Sequence, residues 1–158
     1  MIKVFLSHQS ADSSLALQIS QRLKIHHGID SYLDIIDPSV RRGEDLAKHI
    51  QTELGKCTQL LAVVSERTQL SWWVPWEIGV ATEKDYPLAT YSGGNTSPPE
   101  YLKKWPYLRS LTDVDHYAHA SKTGVRSFGE KRATLNESTA RMASNQDFYS
   151  TLRKSLGQ

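Results

Sequence analysis

The stretch Ser71-Trp72-Trp73-Val74-Pro75-Trp76-Glu77-Ile78-Gly79 concentrates the residue types best suited to chemistry. Three tryptophans and one carboxylate fall within the six residues 72–77. Indole rings offer flat apolar walls on which a planar ring can stack. A carboxylate set among such walls can stabilise a cationic substrate, or positive charge that develops in a transition state. The same composition also has an architectural reading, in which the tryptophans pack a core and the acid meets the positive end of a helix. The elements on either side decide between them.

Proline is accommodated in a helix only within the first turn, where its missing N–H has no partner to lose. Pro75 therefore sets a helix start near residues 72–75, puts Glu77 in or just after the first turn, and lets the helix run to about Lys84. Ahead of it, residues 58–64 (Thr-Gln-Leu-Leu-Ala-Val-Val) form an apolar run typical of a strand buried on both faces. Residues 2–7, 29–34 and 86–91 supply three further strands. A helix carrying Leu15, Ile19 and Leu23 follows the first strand, with Ser10 or Asp12 as its cap and Gly28 at its end. Another, from Glu44 to about Glu53, carries Leu46, Ile50 and Leu54 and stops at Gly55.

This alternation predicts an α/β fold: a flavodoxin-like parallel β-sheet of four to five strands with helices on both faces. Ligands of such sheets bind beyond the carboxyl ends of the strands. That edge collects Ser7 and His8, the polar connection from Asp34 to Gly43 with its pair Arg41-Arg42, and residues 65–73. Residues 108–114 offer a fifth strand, and 116–136 read as an exposed polar loop, with room for a short helix, within a loop-rich segment 92–145. Phe148, Leu152 and Leu156 mark a closing amphipathic helix. The whole chain, 1–158, is expected to be one domain with its core in 2–91.

Composition excludes several classes. A net charge of +2 gives no electrostatic footprint for nucleic acid. No apolar run approaches the roughly 20 residues a membrane helix needs. The N-terminal residues lack the h-region and cleavage site of a signal peptide, which predicts a cytoplasmic protein. The single cysteine, Cys57, sits beside Leu60 and Leu61 and reads as a small buried hydrophobe. His26 and His27 read as helix-end residues rather than metal ligands, so no metal is expected.

Four separated motifs, in order, resemble a Toll/interleukin-1 receptor (TIR) domain of the bacterial stand-alone kind found in Thoeris-like antiphage defence. Val4-Phe5-Leu6-Ser7-His8-Gln9-Ser10-Ala11-Asp12 is similar to that family's first strand and the loop after it. Residues 29–34 followed by Gly43-Glu44-Asp45-Leu46 resemble its second strand, BB loop and next helix. Leu60-Leu61-Ala62-Val63-Val64-Ser65 resembles the third strand, and Ser71-x-Trp73-x-x-x-Glu77 resembles the W-x-x-x-E signature of its enzymatic members.

The resemblance implies cleavage of the nicotinamide–ribose bond of NAD+, which is a substrate and not a cofactor. Glu77 would be the catalytic carboxylate. Ser7, His8, Asp34, Arg42, Ser71, Trp73 and Trp76 would surround the substrate. Water as acceptor would give ADP-ribose, and an adenine nitrogen would give a cyclic ADP-ribose isomer. The resemblance also implies homo-oligomers through TIR–TIR contacts and a separate effector protein that senses the product. Residue by residue, alternatives stay open. Ser7 and His8 could bind ribose or phosphate, or cap the loop and helix. Trp72 and Trp76 could face substrate, core or another subunit. Arg41 and Arg42 could meet the pyrophosphate, or serve a solvated loop or an assembly contact. Two other functions fit as well: a non-catalytic interaction module, which would not need Glu77, and a nucleoside deoxyribosyltransferase-like enzyme acting on another N-glycosidic bond.

Overall fold

A computed structural model describes residues 1–33, 44–71, 73–93 and 97–158. Five strands form one parallel sheet: β1 (Lys3–Ser7), β2 (Asp30–Leu33), β3 (Gln59–Val64), β4 (Leu88–Ser92) and the short β5 (Tyr107–Leu108). Their spatial order is β2-β1-β3-β4-β5, the flavodoxin-like order, with the direction of winding reversing between β1 and β3. Five helices cover the sheet: α1 (Ser13–His27), α2 (Glu44–Gly55), α3 (Trp73–Glu83), α4 (Leu111–Lys131) and α5 (Glu137–Leu156).

The period-2 alternation of each strand sorts its side chains into two cores. Val4, Leu6, Leu61, Val63, Ala89 and Tyr91 face α1, α4 and α5. Phe5, Leu60, Ala62, Val64 and Leu88 face α2 and α3. Every residue of β3 is buried, as expected of a central strand covered on both sides. Each large apolar side chain so buried contributes about 1.5–3 kcal/mol. Cys57 lies in the α2/α3 core, 3% exposed, where burial pushes its thiol up to about 11 and keeps it in the unreactive protonated form.

Helix ends follow the sequence with one exception. Gly28 closes α1 in the left-handed region at φ 66°, donating its N–H toward the carbonyls of Leu23 and Lys24. Neither Ser10 nor Asp12 caps α1 through its side chain. Residues Ser10–Asp12 form a 3-10 turn, and the Asp12 carboxylate instead accepts from Ser65 Oγ at 3.0 Å.

The main departure lies after β4. The fifth strand is present but ends at Leu108, so residues 109–114 are not strand: Ser110 and Asp113 form a reciprocal capping box that starts α4. The polar loop expected at 116–136 is mostly the 21-residue α4, and α5 begins at Glu137, well ahead of Phe148. The buried stripe of α4 is Val114, Tyr117, Ala118, Ala120, Ser121 and Ser127. Small and hydroxylic residues dominate it, so its apolar periodicity is weak. Close packing against α5 replaces it: Tyr117 meets Phe148 edge-on at 5.8 Å, and a Cβ on Gly124 would come within 3.3 Å of the Phe148 side chain.

Polar contacts tie α4 to both neighbouring helices. Asp147 of α5 accepts from Ser127 and, at 2.5 Å, from Lys131. Asp115 accepts two bonds from Arg22, at 2.7 and 2.9 Å, and pairs with His27 at 2.7 Å. His27 at the end of α1 thus has an acidic partner, supplied by a helix far away in sequence. The Arg22 guanidinium and, second to it, His27 hold the Asp115 carboxyl well below the usual carboxylate range. A carboxylate depressed on folding stabilises the native state above its unfolded value of about 3.9 and loses that contribution as pH falls toward its folded value. Asp115→Asn is therefore expected to lower Tm by about 2–4 °C at pH 7, discounted for partial exposure. Thermal melts of the two proteins should converge as pH drops below about 4. A gap that persisted there would show that the pair acts through packing rather than charge.

Candidate functional site

Glu77 stands in the buried stripe of α3. Val74, Glu77, Ile78 and Ala81, at i, i+3, i+4 and i+7, are the helix's buried residues. The carboxylate therefore occupies a position where an apolar residue would ordinarily pack on the sheet, and it is only 2% exposed. A carboxylate is retained in such a place only with hydrogen-bond partners. Ser7, the last residue of β1 and fully buried, donates its hydroxyl to Glu77 Oε2. Ser7 pairs in register with Ala62 of β3, so the Ser7–Glu77 contact sits at the carboxyl ends of the two strands between which the winding reverses.

The next two residues add unused hydrogen-bonding capacity. His8 is buried; its Nδ1 donates to the Leu6 carbonyl at 2.9 Å, since a carbonyl can only accept. That leaves Nε2 as the other ring nitrogen, buried and without a partner among the described residues. The buried side-chain nitrogen of Gln9 likewise has no partner among them. Buried polar atoms are nearly always paired, so these two nitrogens, on the residues that follow Ser7 out of β1, offer hydrogen-bonding capacity to a polar ligand. At the same sheet edge, Ala11, Asp12, Ser65, Glu66 and Arg67 line an open polar cleft of about 280 Å³. The Asp12–Ser65 bond and the capping box between Ser65 and Thr68 fix the cleft wall. Residues 65–67 belong to the edge segment 65–73 expected from the sequence, whereas Gln9 was not singled out as a site residue.

The remaining signature residues divide. Ser71 Oγ accepts from the Val74 N–H at 3.3 Å, so in this structure it caps the first turn of α3. Trp76 is half-buried and packs against the α2/α3 core. Trp73 meets it edge-to-face at 5.9 Å and is 36% exposed. The pair braces the helix start that carries Glu77. Asp34, Arg41, Arg42 and Trp72 lie outside the described residues.

A family model described as "TIR domain" matches residues 4–120, about three quarters of the chain. The chain belongs to the TIR family. This family includes NAD-cleaving enzymes and signalling modules. Among solved structures, the TIR domain is similar to the TIR domains of the activated Roq1 resistosome, which directly recognises the pathogen effector XopQ. Identity is 16%, with 97% of this chain and 84% of that chain covered and a TM-score of 0.48. It is also similar to a diflavin flavoprotein A3 from Nostoc sp., at 15% identity, with 99% and 96% covered and a TM-score of 0.44. A comparison with curated proteins gives no match. No helix of the TIR domain is long and apolar enough to cross a membrane among the described residues.

Proposed function

We propose that this TIR domain is an NAD+ nucleosidase or cyclase that cleaves the nicotinamide–ribose bond. The observation that carries the reading is a buried carboxylate, Glu77, held by Ser7 at the switch point of a parallel sheet. In the reaction the bond between ribose C1′ and the pyridinium nitrogen breaks. Nicotinamide leaves as a neutral molecule with the electron pair, and C1′ becomes oxocarbenium-like. Glu77 stabilises that charge, or the ribose hydroxyls next to it, in a water-poor setting where a fixed carboxylate acts strongly. A nucleophile then adds to C1′ and gives up its proton. Water yields ADP-ribose, and an adenine nitrogen of the same substrate yields a cyclic isomer.

Family membership and the resemblance to stand-alone defence proteins support a wider setting: antiviral signalling by TIR homo-oligomers in the cytoplasm, with a separate effector protein reading the product. Mass spectrometry of NAD+ incubated with concentrated protein tests the chemistry. The expected result is nicotinamide formed in step with NAD+ loss, together with ADP-ribose or its cyclic isomer. NAD+ left intact both by concentrated protein and by protein assembled on a scaffold that clusters it would refute the enzymatic reading.

A further inference from the structure

The residues at the end of β1 have the same hydrogen-bonding sense left to offer. Ser7 has a single hydroxyl proton, and the Glu77 carboxylate takes it, so Ser7 Oγ can only accept from any further group. A neutral His8 ring also carries a single proton. The 2.9 Å contact with the Leu6 carbonyl needs that proton on Nδ1, and the tautomer so fixed has a lone pair on Nε2. His8 is 7% exposed, and Nε2 has no partner among the described residues. Shielded from water, this lone pair gains most from a donor that arrives with a bound ligand.

The charges at this edge act in the same direction. The carboxylates of Asp12 and Glu66 line the cleft there, against one cation, Arg67, among its lining residues. Asp12 is buried and tied to Ser65. A phosphate brings acceptor oxygens and negative charge to a place that already holds both, and it finds no donor on Ser7 or His8. A hydroxyl or an amide N–H brings the donor that is missing.

We propose that His8 Nε2 accepts an O–H or N–H of the substrate, and that the end of β1 selects a hydroxyl- or amide-bearing part of the dinucleotide over its pyrophosphate. This rests on the NAD+ reading above and adds to it the polarity of the site. The nicotinamide ribose and the nicotinamide carboxamide both carry such donors close to the bond that breaks.

Long-range ¹H–¹⁵N spectra of the full chain, labelled at its histidine rings and recorded with the ring neutral, test this without turnover. The His8 signals are assigned by their loss in His8→Leu. Without ligand, His8 should show a protonated Nδ1 and a bare Nε2. NAD+ added to Glu77→Gln should move the Nε2 signal saturably, while inorganic pyrophosphate leaves it in place. His8→Leu should weaken NAD+ binding about tenfold, the equivalent of one hydrogen bond. The acetylpyridine analogue of NAD+, which lacks the carboxamide N–H, separates the two donors: the shift is lost if the carboxamide supplies it and kept if a ribose hydroxyl does. An Nε2–H tautomer in the free chain would overturn the proposal. So would an Nε2 signal unmoved by saturating NAD+, or moved equally by pyrophosphate. NAD+ that gives the expected shift but is left intact by the wild-type chain would remove the enzymatic reading and leave the role of His8 standing.

Discussion

Replacing Glu77 by glutamine is expected to lower NAD+ cleavage by about 10²–10³-fold while leaving the protein folded. Glutamine keeps the shape of the side chain and an acceptor oxygen for the Ser7 hydroxyl, so the buried contact survives. What disappears is the negative charge facing the developing oxocarbenium. Because that charge acts mainly on the transition state, the loss should appear in kcat and leave KM nearly unchanged. Steady-state kinetics of nicotinamide release measures both. If wild-type turnover persisted in Glu77→Gln, the carboxylate would have only a structural role, and the buried stripe of α3 would need another explanation.

The second large effect concerns the closing helix expected around Phe148 and the helix it packs on, α4, which the sequence did not announce. Phe148→Ala should destabilise the protein by about 3–5 kcal/mol, a large share of the 5–15 kcal/mol typical of a domain. Phe148 is 1% exposed, packs edge-on against Tyr117 and Tyr149, and closes over Gly124. Truncation leaves a hole between α4 and α5 that the two long helices cannot close without losing the Asp147 bonds to Ser127 and Lys131. For a chain of this length the expected fall in Tm is about 6–20 °C. Met142→Ala on the same helix, at a 58% exposed position, should change stability by less than about 0.5 kcal/mol. Equal effects from the two substitutions in urea melts would contradict the packing described.

The contrast between α3 and α4 shows which parts of the fold are legible in a sequence. The four principal strands carry β-branched or apolar runs, and Gly28 and Gly55 punctuate the helices between them, so the βαβ order through β4 can be read directly. Helix α4 hides because its buried stripe consists of Ala, Ser and Tyr rather than Leu and Ile. Its start is marked by the Ser110–Asp113 capping box, a signal easily outweighed by the polar residues around it. The site was half legible. Pro75 dates the start of α3, and the spacing Val74, Glu77, Ile78, Ala81 places Glu77 on the sheet-facing stripe, a stronger indication than its nearness to a helix end. The bond from Ser7 was not legible, because it joins residues 70 apart that only the β1–β3 pairing and the packing of α3 bring together. The same holds for His27 and Asp115. Trp76 was ambiguous in the sequence because an indole suits a core and a ligand equally.

The most direct measurement is a structure of Glu77→Gln bound to NAD+, in which the substrate should survive uncleaved. The nicotinamide ribose should lie within hydrogen-bond reach of residue 77, with the nitrogens of His8 or Gln9 newly partnered by the substrate. NAD+ seated away from the carboxyl ends of β1 and β3, leaving residue 77 and those nitrogens untouched, would contradict the assignment of this edge as the catalytic site.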